Sequence, residues 1–314
     1  MPHISVAQLL EDNRGKLQLD WVAGRDGGAK TIDSEQFKQS GEGLIGHLNF
    51  IHPNWIQVFD QPELDYLNGL DAEPRKAMLK QLGNTGLACM IVAGGTPPAP
   101  ALCALADSAE IALLTSPIAS VELMAILRPY LLRALADAVT LHGVFLDVLG
   151  LGVLLTGDSG VGKSELALEL ITRGSGLIAD DVVEFYRINP DTLEGRCPPL
   201  LRNYLEVRGL GVLDIQSIYG EAALRPRKNL KLIVHLEKPA GSEQQFVERL
   251  PLKPGSQEIL GVSIHKVTIP VAAGRNLAVL TEAAVRNYVL LLRGIDSTRD
   301  FSDRQALQLN SDRQ

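Results

Sequence analysis

Apolar residues recur along the chain in two rhythms, and each predicts a kind of element. In the first part, Val6-Ala7-Gln8-Leu9-Leu10 predicts a short helix, and the alternation Leu17-Gln18-Leu19-Asp20-Trp21-Val22 predicts a strand. Residues 47–51 and 56–59, on either side of Pro53, predict two strands around a turn. Residues 63–67 and 74–82 predict helices, the second with Pro74 in its first position. The apolar runs 89–93 and 110–115 predict buried strands, and Pro97-Pro98-Ala99-Pro100 between them should break any regular element. Residues 120–138 predict one long helix, capped by Ser120 and kinked at Pro129.

Beyond it, 143–148 and 152–156 predict a hairpin around Gly150, followed by a helix over 163–172 that Gly174 and Gly176 end. Residues 177–179 predict a short buried strand, 230–237 a central strand, and 265–269 a strand stopped by Pro270. Helical spacing over 276–292 closes the pattern before a polar tail, 296–314. This alternation predicts an α/β chain of two domains, a smaller one over 1–130 and a second over 131–314.

Composition narrows the class. The 314 residues are 46% hydrophobic and 21% charged, ordinary values for a soluble globular protein. A net charge of −7 argues against broad nucleic-acid binding. No run of about 18 apolar residues predicts a membrane span, and the N-terminus lacks the pattern of a signal peptide. Cys89, Cys103 and Cys197 are widely spaced and odd in number, so they read as free thiols in a reducing compartment, the cytoplasm.

Candidate chemistry centres on Gly157-Asp158-Ser159-Gly160-Val161-Gly162-Lys163-Ser164, a G-x-x-x-x-G-K-S run between a strand and a helix. Such a bend turns backbone N–H groups inward, and the helix N-terminus adds partial positive charge. Lys163 would reach the β- and γ-phosphates of ATP, and the Ser164 hydroxyl would ligate Mg²⁺. Asp180-Asp181 closes an apolar strand, where a metal-binding or base carboxylate can sit. Side chains alternate along a strand, so one of the two should face the nucleotide, and the sequence does not say which. Glu206, beside Arg208, Gly209 and Gly211, is a second candidate carboxylate, though a strand end with a turn explains the same residues. Taken alone, His142 reads as a surface linker histidine and Arg249 as a partner of Glu248. His47 and His52 read as packed or surface histidines.

Together these segments resemble the HPr kinase/phosphorylase family of bacteria. The resemblance is carried most strongly by Leu205-Glu206-Val207-Arg208-Gly209-Leu210-Gly211-Val212. It is supported by Leu141-His142-Gly143-Val144, the phosphate loop, Ile178-Ala179-Asp180-Asp181, Arg249-Leu250, and Ile269-Pro270-Val271 with Gly274-Arg275-Asn276-Leu277-Ala278-Val279. It covers residues 130–295, and extends more loosely to Asn54-Trp55-Ile56-Gln57-Val58-Phe59. It implies a C-terminal P-loop kinase domain similar to the phosphoenolpyruvate carboxykinase core, with a separate N-terminal α/β domain. It further implies ATP-dependent phosphorylation of a regulatory serine on HPr, and the reverse phosphorolysis by inorganic phosphate giving pyrophosphate.

In that resemblance Asp181 is the base in one direction and the acid in the other. Ser164 and Glu206 ligate Mg²⁺, Lys163 binds phosphates, and His142 and Arg249 join the site. The stretch from Leu205 to Asp214 serves both directions, and the stretch from Pro270 to Arg275 serves dephosphorylation. The family forms homohexamers. This chain departs from its pattern at Gly174-Ser175-Gly176 and at Ala272-Ala273, where the family commonly has Arg-Pro. Burial, together with neighbouring Asp180, is expected to keep Asp181 basic enough for both roles. The competing readings are a kinase of small metabolites on the same core and a nucleotide-dependent switch. The signature stretch disfavours both.

Overall fold

The computed structural model describes residues 2–35, 43–49, 53–238, 255–272, 274–302 and 304. Contacts divide the chain into Met1–Asp137 and Ala138–Gln314. The first unit contains β1 (His3–Ser5), α1 (Val6–Leu17), β2 (Asp20–Ala23), β3 (Thr31–Asp33), β4 (Gly43–His47) and β5 (Asn54–Phe59). Then come α2 (Gln61–Gly69), α3 (Ala72–Gly83), β6 (Cys89–Val92), α4 (Pro100–Ser108), β7 (Ala112–Thr115) and α5 (Ser120–Ala134). Its sheet has the order β2-β7-β6-β5-β4, parallel from β4 to β7 and antiparallel at β2.

Alternation along these strands feeds two cores. Cys89 and Ile91 of β6 pack with Val6, Leu9, Leu123 and Leu127 of α1 and α5. Met90 and Val92 pack with Leu64, Leu82 and Leu102 of the other three helices. A sheet covered on both faces explains why its strands read as near-continuous apolar runs.

Several boundaries differ from the sequence expectation. Helix α1 runs on to Leu17, with Gln18 in the left-handed region (φ 48°), because Val6, Leu9, Asn13 and Leu17 form one buried stripe. The alternation that began at Leu17 therefore starts as a strand only at Asp20. The first of the two strands around Pro53 is Gly43–His47, and it pairs in parallel with β5; residues 50 and 51 of the expected strand lie outside the described residues. Pro74 occupies the third helical position, after Ala72 and Glu73, with Asp71 as the cap. Pro100 opens a helix that the proline cluster was expected to prevent, since a first-turn proline loses no helical hydrogen bond. Ser120 is the first helical residue and Ala119 the cap; the Ser120 hydroxyl donates to Asp60 instead. Pro129 lies inside α5, which ends at Ala134, and Ala138 already belongs to a strand.

The second unit contains β8 (Ala138–His142), β9 (Val144–Val148), β10 (Leu151–Gly157), α6 (Lys163–Thr172), β11 (Gly176–Ala179), β12 (Val182–Asn189) and β13 (Thr192–Arg196). They are followed by β14 (Tyr204–Val207), β15 (Gly211–Asp214), α7 (Ile215–Tyr219), β16 (Arg227–Glu237), β17 (Gly255–Ile259), β18 (Val262–Pro270) and α8 (Leu277–Leu292). Nine strands form one sheet around β16. That strand pairs in parallel with β10 and β18 and in antiparallel fashion with β13. The hairpin β14–β15 stands apart as a sheet of its own.

One face, through Leu155, Leu232 and Val234, packs on Leu166 and Leu170 of α6 and Val285 of α8. The opposite face, through Phe145, Leu154 and Ile233, meets Phe185 and Leu193 of β12 and β13. Phe145 and Phe185 meet edge to face, with centroids 5.2 Å apart. Gly195 makes room for them: a Cβ there would lie 2.5 Å from the Phe185 ring and 2.6 Å from the Phe145 ring. Phe185→Ala is expected to destabilise the protein by about 3–5 kcal/mol, measured by urea unfolding followed by circular dichroism. A loss below about 1 kcal/mol would show that this face is not a packed core.

Candidate active site

The phosphate loop is set by backbone conformations and close approaches that exclude side chains. Gly157, Gly160 and Gly162 all have positive φ, at 138°, 71° and 103°. A Cβ on Gly157 would lie 2.4 Å from the carbonyl oxygen of Leu236, so the loop leaves β10 tight against the central strand. Val161 anchors the loop in the core beneath α6, while Asp158, Ser159 and Gly160 are exposed. No side chain caps the N-terminus of α6 at Gly162, which leaves its first N–H groups to an incoming anion. The Lys163 ammonium folds back and donates to the carbonyl oxygens of Gly157 (2.8 Å) and Asp158 (3.0 Å).

Asp180 and Asp181 take opposite directions for a visible reason. Asp181 has φ 62°, and the Val182 N–H donates to the Asp180 carbonyl at 2.7 Å, closing a three-residue turn. Such a conformation costs a non-glycine residue about 1–3 kcal/mol. The turn sends Asp180 inward, where it is 8% exposed, and leaves the Asp181 side chain 80% exposed. Asp180 Oδ2 accepts the Glu206 N–H at 2.8 Å, and Oδ1 accepts the Ser164 hydroxyl at 3.5 Å. Burial raises the pKa of Asp180 above the usual carboxylate range, partly offset by the Glu206 and Asp181 N–H groups. The burial expected at Asp181 thus falls on Asp180. Asp181 instead lies 3.8 Å from His142 Nδ1, placed there by the antiparallel pairing of His142 with Val182.

The signature stretch is the hairpin β14–β15, with Glu206 opposite Val212 and Val207 opposite Gly211. Leu205 and Val207 are buried in the core shared with α6, so Glu206 and Arg208 point outward. The turn needs Gly209 and Gly211 at φ 85° and 86°, and it exposes Leu210 and Val212. The Arg208 guanidinium lies over the phosphate loop, its Nη1 3.2 Å from where a Cβ on Gly160 would be. Asp214 is taken up in capping α7: it accepts the N–H and hydroxyl of Ser217, which lower its pKa. Leu213 is half-buried against the core beneath α6.

At the same end of the sheet, Gly157 pairs with Leu236, and the next residue, Glu237, pairs with Pro270. The Val271 N–H donates to the Glu237 carbonyl, so the stretch from Pro270 to Arg275 starts two strands from the phosphate loop. Arg249, Ala273 and His52 lie outside the described residues. His47 belongs to the first unit, where its Nδ1 lies 3.5 Å from Glu63.

Oxygen donors at Ser164, Asp180 and Glu206 suit a hard ion such as Mg²⁺, which commonly takes only one or two protein carboxylates. Among the described residues no three His, Cys, Asp or Glu side chains are grouped as a protein-only metal site. All three cysteines are free, and burial pushes Cys89 up to about 12 and Cys197 to about 11. Among the described residues no helix is long and apolar enough to cross a membrane. Sequence reasoning missed the pairing of Thr156, just before the loop, with His235 Nδ1 at 3.0 Å; two residues 79 apart give no local signal.

Comparison with known proteins extends over nearly the whole chain. Residues 4–131 match the family model described as HPr Serine kinase N terminus, and residues 133–305 the one described as HPr Serine kinase C-terminal domain. The HPr kinase/phosphorylase of Nitrosomonas europaea is 55% identical over 309 residues, 98% of this chain and 96% of that protein. That of Chromobacterium violaceum is 54% identical over 304 residues, 97% of this chain and 95% of that protein. A solved HPr(Ser) kinase/phosphatase from Coxiella burnetii is 36% identical with a TM-score of 0.46, covering 52% of this chain and 98% of that one. The chain therefore belongs to the HPr kinase/phosphorylase family and is an enzyme.

Proposed function

We propose that the chain uses ATP to phosphorylate a serine of the phosphocarrier protein HPr and, in reverse, removes that phosphate by phosphorolysis. The observation that carries this reading is the junction at Asp180. One buried carboxylate bonds both to the phosphate-loop serine and to the signature hairpin at Glu206. It is the arrangement expected of a phosphoryl-transfer site, in which positioning and charge do most of the work. The reading also includes a core similar to phosphoenolpyruvate carboxykinase, a cytoplasmic homohexamer, and a role in regulating sugar uptake through the phosphotransferase system.

In the forward direction Asp181 takes the proton of the seryl hydroxyl as its oxygen attacks the γ-phosphorus and the bond to ADP breaks. In reverse an oxygen of inorganic phosphate attacks the phosphoserine, pyrophosphate forms, and Asp181 returns a proton to the departing seryl oxygen. Exposure of Asp181 suits both steps, because the acceptor is the side chain of another protein and must reach it from outside. His142, with Nδ1 3.8 Å from Asp181, lies close enough to orient it. Ser164 and Glu206 would hold Mg²⁺, whose charge would offset that of the phosphates. Lys163 and the N–H groups of the loop hold the phosphates themselves. Arg208, over Gly160, supplies a second cation at the phosphate end of the site, alongside the role given to Arg249.

The direct test incubates the protein with Mg-ATP and its cognate HPr and looks for phosphoserine by mass spectrometry, then adds excess phosphate and assays pyrophosphate. No phosphoserine would sink the reading. Asp181→Asn is expected to lower both rates by about 10²–10⁴ with nucleotide binding unchanged. Full rates in that variant would remove Asp181 from the mechanism. Arg208→Ala is expected to lower kcat by about 10²–10³, with Arg208→Lys recovering part of the loss. A change confined to the KM for ATP would make Arg208 a ground-state contact only.

A further inference from the structure

Strand β16 loses its alternation once. Leu230 and Ile233 pack on one face of the sheet, Leu232 and Val234 on the other, so the two-residue repeat shifts phase at Lys231. The register with β10 shifts at the same place: Gly152 pairs with Leu230, and Val153 with Leu232. Lys231 is the extra residue of a β-bulge, and it is exposed. Gly152 is part of the device, since a Cβ there would lie 2.2 Å from the Asn229 carbonyl oxygen. Bulges re-aim side chains, and this one brings Lys231 to a cleft of about 410 Å³ that Arg227, Lys228, Asn229 and Glu194 also line. Its remaining wall is Gly150 and Gly152.

Two of the three cations that line the cleft are held by carboxylates. Lys228 Nζ lies 2.9 Å from Asp147 Oδ2, and Arg225 Nε lies 3.5 Å from the same oxygen. Arg227 Nε lies 3.6 Å from Glu194, and both carboxylates are buried. Among the described residues no carboxylate pairs with Lys231. Arg227, Lys228 and Lys231 line the cleft against the single lining carboxylate of Glu194, a local positive excess on a chain of net charge −7. Pinned cations lose little freedom when an anion arrives, which is the condition for a preorganised site.

The lining also limits the ligand. The volume falls in the range of small-molecule sites, about 300–1,000 Å³. No aromatic or large apolar side chain is present to take a nucleobase. Gly152 and Gly157 are the near and far ends of the same stretch of β10, so the cleft and the phosphate loop are roughly 17 Å apart along the strand.

We propose that this cleft is a second anion site, separate from the phosphate loop, for a compact polyanion: a small phosphate ester or a di- or tricarboxylate. The assignment does not depend on the identity of the phosphoryl acceptor. It is tested on the full-length protein by isothermal titration with glycerol 3-phosphate and, separately, citrate, at matched ionic strength, with Lys163→Ala used to silence the phosphate loop. Saturable binding of either probe is expected, retained in Lys163→Ala and weakened at least tenfold by Lys231→Glu or Arg227→Gln. Which probe binds identifies the phosphate or the carboxylate source. Two results overturn the proposal: no saturable binding of either probe, or binding that survives both cleft substitutions at full strength. Because Lys231 is exposed and pairs with no carboxylate among the described residues, the melting curve of Lys231→Glu should match that of the parent protein. Arg227→Gln removes an ion pair to the buried Glu194 and is expected to melt lower, so weakened binding in Lys231→Glu is the readout free of a folding defect.

Discussion

A single buried carboxylate ties the second unit's chemistry together. Asp180 sits at the end of an apolar strand, away from water, and its oxygens are met by a hydroxyl from the phosphate loop and an N–H from the signature hairpin. A buried acid without partners would be costly, and these partners come from the two segments whose geometry matters most. The hairpin belongs to no larger sheet, so this contact and the burial of Leu205 and Val207 hold it against the loop. Without Asp180, only the burial of Leu205 and Val207 would hold Glu206 and Arg208 beside the loop.

The strained turn at Asp181 separates two roles that the sequence places side by side. Ordinary strand alternation would also send the two carboxylates apart, but the left-handed residue ends β11 and starts β12 at once. One aspartate is then structural and desolvated, and the other is free to meet an external molecule. Strain of this size persists only where surroundings over-determine it, here through the Val182 and Gly143 hydrogen bonds on either side.

Much of this was legible in the sequence, and what was missed has common causes. The phosphate loop, its helix and the central strand were clear, because glycine spacing and apolar runs are local signals. The hairpin at Gly150 was equally clear, since Leu149 and Gly150 both take positive φ, the conformation such a tight turn favours. Helix α1 was cut short because Leu17, Leu19 and Trp21 happen to alternate where a helical stripe ends. Helix α4 was missed because a proline cluster reads as a break whether it stops a helix or starts one. The identity of the inward aspartate depended on one backbone dihedral angle, which composition does not encode. The position of Arg208 over Gly160 depended on how a hairpin docks on a loop nearly fifty residues earlier.

The alternation within the hairpin has a consequence for how this gene can vary. Leu205 and Val207 enter the core while Glu206 and Arg208 leave it, and Glu206 also contributes the backbone N–H that Asp180 requires. A point substitution at any of these positions changes one contact. A single-codon insertion or deletion before Gly209 would exchange the two faces, driving charge into the core and leucine into the solvent. The length of the stretch is therefore as constrained as its residues, so that an alignment gap there marks a lineage in which the site has been lost.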